Sequence, residues 1–284
     1  MILQKNAISA IDDFLKKHRT LDALPERTAE ILRVTSDPNC QSKQLLRLIE
    51  NDAALAGAIM KAVNSSFYSL TTIMTRLDRA IAYLGNKAVK EIVLSTCLSK
   101  LVRAANYGTY SARDLWEHGV AVAIAGRELA LRTGKLDSEE AFLIGMLHDI
   151  GLLLATQSEI KQATALLTQA ELGTDSFAEL EKLNFGFNHR DLGAALARNW
   201  SFQEPHAMVI QYHHTPADAP EEYRALCWHF YIADTVACQT DIGCPLTAKG
   251  QELSPEALAG AGITAEMVEE VRGKLPVLMR LHRI

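Results

Sequence analysis

Apolar residues recur every three to four positions along most of this chain, and this helical period constrains the fold more than any other feature. Runs that alternate apolar and polar residues, the pattern of a half-buried strand, are scarce. The periodicity therefore predicts an all-α protein. The predicted helices cover, approximately, residues 24–34, 44–50, 54–63, 77–84, 89–102, 112–132, 138–156, 159–172, 176–183, 188–200, 205–214, 221–240 and 264–273.

Local signals place several helix ends. Ser42 and Asp52 are predicted N-caps, because short polar side chains there can accept hydrogen bonds from the first turn. Gly134 is expected to end the long helix that begins near residue 112. Pro205 suits a first helical turn, and Pro216 predicts a stop shortly after His214.

The stretch from Asn106 to Ser111 has the character of a loop and divides the predicted helices into two groups. We therefore expect a two-lobed helical bundle. It would consist of an N-terminal helical lobe at residues 1–108, a second helical lobe at residues 109–240 and a C-terminal helical extension at residues 241–284.

The charge balance and the cysteine pattern limit the function classes. The formal net charge is −5 and no long basic run occurs, so electrostatics do not predict a nucleic-acid surface. The five cysteines form no CxxC pair, which favours reduced thiols in a cytoplasmic protein. The first residues, MILQKNAISAIDDFLKKH, contain acids and do not resemble a signal peptide. No uncharged apolar run of about 20 residues occurs, so no membrane span is expected.

A histidine and an aspartate interrupt the apolar run GMLHDIGLLLA at residues 145–155. Burial of an unpaired carboxylate costs several kcal/mol unless it meets a charge, hydrogen bonds or a metal ion. The pair His148 and Asp149 therefore predicts a buried partner of one of these kinds.

Further ligand-type side chains share helical faces with apolar residues. His118 lies three residues after Leu115 and four before Val122, and the others follow the same rule. Each alone is explained by a hydrogen bond in the core or by a helix cap. Together they favour one site in the bundle interior that holds one or two ions of iron, manganese or zinc. The predicted metal ligands are His118, His148, Asp149, His189, His213, His214 and Asp234.

Four segments carry a family resemblance: WEHGVAVA, MLHDIG, FGFNHRDLGAALARNW and YHHTP. They resemble the HD superfamily of metal-dependent phosphohydrolases, and specifically its HDOD branch, the HD-related output domain of bacterial signalling proteins. The first half, including NSSFYS, is similar to the N-terminal helical region of that branch. The resemblance spans about residues 20–240 and implies that the lobe at 109–240 is HD-like.

The resemblance implies a metal site. HD phosphohydrolases bind one metal through residues that match His118, His148, Asp149 and Asp234, and relatives that hydrolyse cyclic di-GMP add later histidines that match His189, His213 and His214. In that chemistry the cations activate water and offset the charge that builds on the phosphoryl oxygens. The HDOD branch is generally regarded as regulatory and non-catalytic.

Departures from the active enzymes affect the expected activity. Leu152 stands where those enzymes usually carry a lysine, and no glycine-tyrosine-proline signature follows His213 and His214. No lysine or arginine follows Asp234 within its own turn. These differences leave the catalytic residues unassigned.

Two function classes remain open. The favoured one is a regulatory module that acts through other signalling proteins, namely sensor kinases, receivers or components of cyclic-dinucleotide pathways. The other is a metal-dependent phosphohydrolase that acts on a nucleotide or a cyclic dinucleotide. The turn Leu84-Gly85-Asn86 also admits a helix-turn-helix interpretation, but the charges around it are mixed and such turns are common. DNA is therefore not an expected partner.

Several residues outside the ligand set have structural interpretations. Asp114, one turn before His118, could supply an extra carboxylate ligand, but the favoured interpretation is an exposed acid at a helix start. Arg127, Arg132 and Lys135 are expected on solvated helix faces. NSSFYSL could be a partner- or ligand-binding element between the lobes, but the favoured interpretation is an interhelical loop whose Phe67 and Tyr68 pack into the core. The histidines outside the ligand set are His18, His206, His229 and His282, of which His206 and His229 are expected to be structural.

Overall fold

The computed structural model describes residues 2–18, 26–35, 37, 40–65, 68, 70–102, 104–173, 175–240 and 242–281. The predicted all-α class is confirmed, since two strands of two residues each are the β-structure in these ranges. The elements are α1 (Ile2–Lys17), α2 (Glu26–Thr35), α3 (Ser42–Ile49), α4 (Ala53–Val63), α5 (Leu77–Leu101), β1 (Asn106–Tyr107), β2 (Tyr110–Ser111), α6 (Ala112–Thr133), α7 (Ser138–Leu147), α8 (Ile150–Ser158), α9 (Ile160–Leu172), α10 (Phe177–Phe185), α11 (His189–Asn199), α12 (Glu204–Tyr212), a 3-10 turn (Pro216–Asp218), α13 (Glu221–Cys238), α14 (Pro255–Ala261) and α15 (Ala265–Leu281).

The chain forms two compact units. The smaller unit comprises Leu24–Leu101 with Val277–Ile284, and the larger unit comprises Met1–Ala23 with Val102–Pro276. The helix α1 thus groups with the larger unit, although the sequence placed it with the N-terminal lobe. The physical reason is its buried face, because the ring of Phe14 packs edge-on against Phe187 at 5.2 Å. His18 also bonds to Glu159, at 3.0 Å.

The smaller unit is a helical bundle around α5. Helices α2, α3 and α4 pack against α5, and their buried residues include Ile31, Leu45 and Ile59. Gly85, with φ of +75° and ψ of 172°, interrupts α5 and confirms the predicted turn. A left-handed φ of this kind is readily adopted by glycine alone. Of the aromatic pair in NSSFYSL, Tyr68 contacts Tyr83 edge-on at 6.3 Å, and Phe67 lies outside the described residues.

The caps of the smaller unit test two predictions. Asp52 is confirmed as an N-cap, because its side chain accepts hydrogen bonds from the backbone of Ala54 and Leu55. The prediction for Ser42 is wrong by one residue, since Ser42 is the first residue of α3 and Gln41 is the N-cap. The backbone N–H of Gln41 donates to the side chain of Gln44 at 3.2 Å, which satisfies a group that a helix start leaves unpaired.

The larger unit is built from layers of helices. Helix α6 packs on α7 and α13, α11 packs on α8 and α12, and α14 covers α13. The predicted loop at residues 106–111 is a hairpin in which Tyr107 pairs with Tyr110. Ser111 then caps α6, and Gly134 ends α6 in the left-handed conformation, as predicted. The short helix α14 was not predicted, although Ser254 and Pro255 form a recognisable start signal.

The predicted continuous helix at residues 138–156 is wrong, because α7 ends at Leu147 and α8 begins at Ile150. The helices around the break pack closely. A Cβ atom added to Gly151 would lie 2.0 Å from the carbonyl oxygen of His189, and one added to Gly145 would lie 2.5 Å from the Cα of Ala123. Both glycines therefore bring the backbone around His148 and Asp149 against neighbouring helices.

The same segment is the one stretch of the described chain that is long and apolar enough to cross a membrane. It runs from Ser138 to Ser158, and 89% of its most apolar window is buried within the folded chain. Such burial is typical of core helices, so the segment's hydrophobicity is accounted for by packing.

Candidate metal centre

The structure brings all seven sequence-predicted ligand residues together in the larger unit. His118 lies within α6 and Asp234 within α13, and His189 is the first residue of α11. The other four lie at helix ends rather than inside helices. They are His148 and Asp149 at the junction of α7 and α8, and His213 and His214 directly after α12.

Asp149 lies at the middle of the cluster. Its Oδ1 atom is 3.3 Å from His189 Nε2 and 3.4 Å from His213 Nε2. Its Oδ2 atom is 3.4 Å from His148 Nε2 and 3.8 Å from His118 Nε2. The carboxylate thus faces four imidazoles, with two on each oxygen.

Asp234 is the second carboxylate of the cluster. Its Oδ1 atom is 3.1 Å from His118 Nε2, and its Oδ2 atom is 3.5 Å from His214 Nδ1. Cys238, one helical turn later, donates its thiol to Asp234 Oδ1 at 3.6 Å. Burial, followed by the charge of Asp234, raises the pKa of the Cys238 thiol. Cys238 was not predicted at the site, although its position four residues after Asp234 could have indicated it.

Most of the cluster is shielded from solvent. His148, His213 and Asp234 have no exposed surface, and Asp149 is 8% exposed. Charged groups in such surroundings are retained only when they are paired, hydrogen-bonded or bound to a cation. The burial therefore requires a partner for the two carboxylates.

Three histidines are oriented by hydrogen bonds on the side away from the cluster. The Nδ1–H of His148 donates to Gly145 O at 2.7 Å, and that of His213 donates to Ile210 O at 2.9 Å. The Nδ1–H of His189 donates to Glu181 at 2.7 Å. In a neutral imidazole, a proton on Nδ1 leaves the Nε2 lone pair free, and metal-binding histidines are commonly held in this way.

Glu181 is a second residue of the centre that was not predicted from the sequence. It is 1% exposed, and besides the Nδ1–H of His189 it accepts the backbone N–H of His189 at 3.0 Å. Its sequence neighbours Glu179 and Lys182 are charged, so it resembled a solvated acid. The available signal was its position four residues after Phe177, which places both on one helical face.

The protonation equilibria of the cluster are strongly coupled. Burial opposes the charged form of Asp149, but the imidazoles of His148 and His189 outweigh it and hold the pKa of this carboxyl well below its usual range. Burial likewise opposes protonation of His148, yet Asp149 outweighs it and raises the pKa of His148 to about 9. Burial lowers the pKa of His213 to about 4. The centre therefore combines carboxylates with at least one neutral imidazole.

Unpaired buried atoms test whether the cluster fits a metal ion. Within the described part of the chain, the Nε2 atoms of the five histidines make no hydrogen bond, and neither do Asp149 Oδ1 and Asp234 Oδ2. Such orphaned groups are rare in folded proteins and call for a partner. A divalent cation would satisfy nitrogen lone pairs and carboxylate oxygens together, so the cluster is compatible with a metal site.

The spacing of the donor atoms fits the same conclusion. Two ligands that each lie about 2.1 Å from a tetrahedral ion are about 3.4 Å apart. The separations of Asp149 from His148, His189 and His213 are 3.3–3.4 Å. Groups of three and four ligand atoms within 4.8 Å of one another share Asp149, which could bridge two ions through its two oxygens.

A pocket of about 620 Å³ adjoins the cluster in the larger unit. His189 and His214 form part of its wall, together with Arg190 and Tyr231. Another part of it comes from the segment between α13 and α14, namely Leu246, Thr247, Lys249, Gly250 and Gln251. The centre is thus reached from a cavity of the size that small-molecule ligands occupy.

Other residues singled out in the sequence have structural roles. Asp114 is a capping residue rather than a free acid, since its carboxylate accepts the backbone N–H of Ser111 at 2.7 Å. Leu152 is buried in α8. His206 and His229 are buried, and the Nε2–H of His229 donates to a backbone carbonyl.

The prediction that Arg127 lies on a solvated face is wrong. It is 2% exposed, its guanidinium lies 4.0 Å from the centre of the Phe142 ring, and it pairs with Glu139 at 3.3 Å. Arg132 is partly buried and pairs with Glu128 and Glu270. His282 lies outside the described residues.

Comparisons with known proteins agree with the fold. A protein of Treponema pallidum (strain Nichols), itself uncharacterised, is 26% identical over 205 residues, which is 72% of this chain. This chain spans 39% of that relative's length. A protein of Shewanella amazonensis SB2B, described as a candidate phosphohydrolase, matches with a TM-score of 0.74 and 25% identity over 96% of each chain. A candidate signal transduction protein of Marinobacter aquaeolei VT8 matches with a TM-score of 0.72 and 21% identity, over 98% of this chain and 64% of that one.

The family follows from a comparison that covers most of the chain. The family model of the HDOD domain matches residues 21–216, which include six of the seven clustered residues and leave Asp234 beyond its end. This chain therefore belongs to the HDOD family.

Proposed function

We propose that this chain is a metal-binding regulatory module of bacterial signal transduction. In this proposal the cluster in the larger unit holds one or two divalent cations of iron, manganese or zinc, and the metal-loaded protein acts on other signalling proteins in the cytoplasm. The observation that carries it is the set of buried, unpaired donor atoms around Asp149 and Asp234.

The grouping of the donor atoms indicates how two cations would be shared. One group joins Asp149 with His189, His213 and His214, and another joins Asp149 with His118 and His148. Asp234 groups with His118 or with His148 and His213. A bound cation of this kind supplies Lewis acidity and stabilises negative charge beside it. The protein's part is to hold the imidazoles, chiefly through the outer hydrogen bonds to Gly145, Ile210 and Glu181.

The residues that follow the His148-Asp149 pair and Asp234 favour the regulatory assignment. Leu152 follows Gly151 and is 1% exposed, and its apolar side chain offers no charge or hydrogen bond to an anion. The residues that follow Asp234 within one turn are Thr235, Val236, Ala237 and Cys238, none of them basic. The partners in this proposal are sensor kinases, receivers or components of cyclic-dinucleotide pathways.

A second candidate, a metal-dependent phosphohydrolase acting on a nucleotide or cyclic dinucleotide, is favoured by one observation. The pocket of about 620 Å³ reaches His189 and His214, so a small ligand could contact the centre. The Shewanella protein of similar fold is also described as a candidate phosphohydrolase.

Metal analysis of the purified protein tests the proposal. After loading with Mn²⁺, Fe²⁺ or Zn²⁺ and removal of excess metal, we expect about one or two ions per chain, from the ligand count and the rule of about four ligands per zinc. Asp149→Asn should abolish this binding, whereas Asp218→Asn, which alters an exposed acid of the same unit, should not. A wild-type protein without bound metal would contradict the proposal.

Turnover separates the two candidates. The loaded protein is assayed with cyclic di-GMP and with bis(p-nitrophenyl) phosphate. The regulatory assignment predicts no turnover above background. Hydrolysis that disappears in Asp149→Asn and persists in Asp218→Asn would replace it with the phosphohydrolase.

A further inference from the structure

Arg190, the residue after His189, brings an unpaired positive charge to the pocket beside the cluster. Its Nη1 atom donates to Thr215 Oγ1 at 3.0 Å, and its buried Nε atom has no partner among the described residues. No ion pair to Arg190 occurs within the same residues. A partly buried guanidinium without a carboxylate is costly, and a bound anion would offset that cost.

Two further donors face the same pocket. Thr247 is 8% exposed, and its hydroxyl is buried with no hydrogen-bond partner in the described chain. Thr215 accepts from Arg190, so its own hydroxyl proton remains available to a ligand. The pocket therefore gathers unused donors, whereas a pocket for an apolar ligand would have none.

The charges of the lining residues also favour an anion. Lys249 lies in the wall of the pocket, and its ammonium group donates hydrogen bonds to Ala170 O and Gly173 O, both at 3.0 Å. The third N–H group of the ammonium is left to donate to a ligand. Asp175 is the acid of the lining and is exposed at the surface. The described lining thus carries two basic side chains against one acidic side chain.

We propose that this pocket binds a phosphorylated small molecule of mononucleotide size, with its phosphoryl group between Arg190, Thr215 and Thr247. A phosphoryl group has three outer oxygens, enough for the guanidinium and both hydroxyls, whereas a carboxylate has two. The cavity of about 620 Å³ has room for the remainder of the ligand beside Phe177 and Tyr231.

The inference rests on the proposed function in one respect, because the phosphoryl group would lie next to His189 and His214 of the metal centre. It assigns Arg190 and Thr247 to ligand binding, and it holds whether the bound molecule is a regulatory ligand or a substrate.

Calorimetric titration of the full chain, loaded with Mn²⁺, tests the inference with AMP, adenosine and inorganic phosphate as probes. AMP and phosphate should bind, and adenosine should bind at least about tenfold more weakly than AMP, since the phosphoryl group carries the recognition. Arg190→Gln should weaken AMP binding at least about tenfold. Arg190→Lys should bind AMP with an affinity between those of Arg190→Gln and the wild type, because lysine keeps the positive charge but lacks the planar guanidinium that donates two parallel hydrogen bonds. Thr247→Val should weaken AMP binding by a smaller factor.

The matched control is Arg198→Gln on the same helix, since Arg198 forms an exposed pair with Glu204 away from the pocket. This control should bind AMP as the wild type does. Equal binding of AMP and adenosine, no binding of AMP and phosphate, or unchanged AMP binding in both Arg190→Gln and Thr247→Val would overturn the inference.

The metal content of each sample separates this inference from the proposed function. A protein that holds metal but binds neither AMP nor phosphate contradicts the pocket assignment alone. A protein that holds no metal contradicts the metal proposal, and the Arg190 dependence of AMP binding then decides the pocket assignment on its own.

Discussion

Replacement of Glu181 by glutamine tests whether the hydrogen bonds that orient His189 are needed for metal binding. The buried carboxylate accepts both the backbone N–H and the Nδ1–H of His189, at 3.0 and 2.7 Å. An amide has one oxygen and one NH₂ group, so glutamine can accept only one of these hydrogen bonds. If it accepts the backbone N–H, its NH₂ group faces Nδ1 and favours the tautomer with the proton on Nε2. That proton would occupy the lone pair that faces Asp149.

The expected magnitude follows from the bonds lost. Loss of one hydrogen bond to a buried carboxylate lowers the free energy of unfolding by about 1.5–3 kcal/mol. Loss of the outer partner of a metal-binding histidine lowers metal affinity about 10–100-fold. The variant should therefore fold and bind metal weakly, because all seven clustered residues are retained and only His189 loses an outer hydrogen bond.

Competition with a chromophoric chelator measures the metal affinity, and thermal unfolding of the metal-free protein measures the stability. Glu179→Gln, which alters an exposed acid on the same helix, is the control. Wild-type metal affinity in Glu181→Gln, or an equal loss in Glu179→Gln, would refute the role given to Glu181.

Three further substitutions test the fold that carries the site. Gly151→Ala places a Cβ 2.0 Å from His189 O. Urea titrations should show that it lowers the free energy of unfolding by about 1–3 kcal/mol. Asn188→Ala removes the N-cap of α11 and should cost about 1 kcal/mol in thermal unfolding. Burial lowers the pKa of His229 below its ordinary 6.5, so below that pH the unfolded chain takes up a proton that the folded chain excludes. Wild-type stability should then fall by up to about 1.4 kcal/mol per pH unit, and urea titrations at pH 7.5 and 5.5 should show a smaller fall in His229→Gln.

The sequence could predict the helices because most of them keep one polar face. The break between α7 and α8 could not be predicted in this way, since every residue from 141 to 156 is buried and the run has no polar face to reveal a change of direction. The break depends on packing, because Gly145 and Gly151 lie against residues distant in the sequence.

The site likewise contains residues that could be predicted from the sequence and residues that could not. The seven ligand-type residues could be predicted from their chemistry and from their placement among apolar residues. The burial of Glu181 and Arg127 was not predicted, because charged residues usually lie on the surface and the sequence does not show a partner on another element. Their burial is explained by partners on other elements, His189 for Glu181 and Phe142 with Glu139 for Arg127.

The central claim is that the cluster around Asp149 holds a metal ion. Anomalous X-ray diffraction from crystals of the protein grown with Mn²⁺ tests it most directly. The account predicts an anomalous peak about 2.0–2.3 Å from an oxygen of Asp149 and from at least two of the Nε2 atoms that face it, and no such peak in crystals of Asp149→Asn. Fully loaded crystals with no peak in this cluster would contradict it.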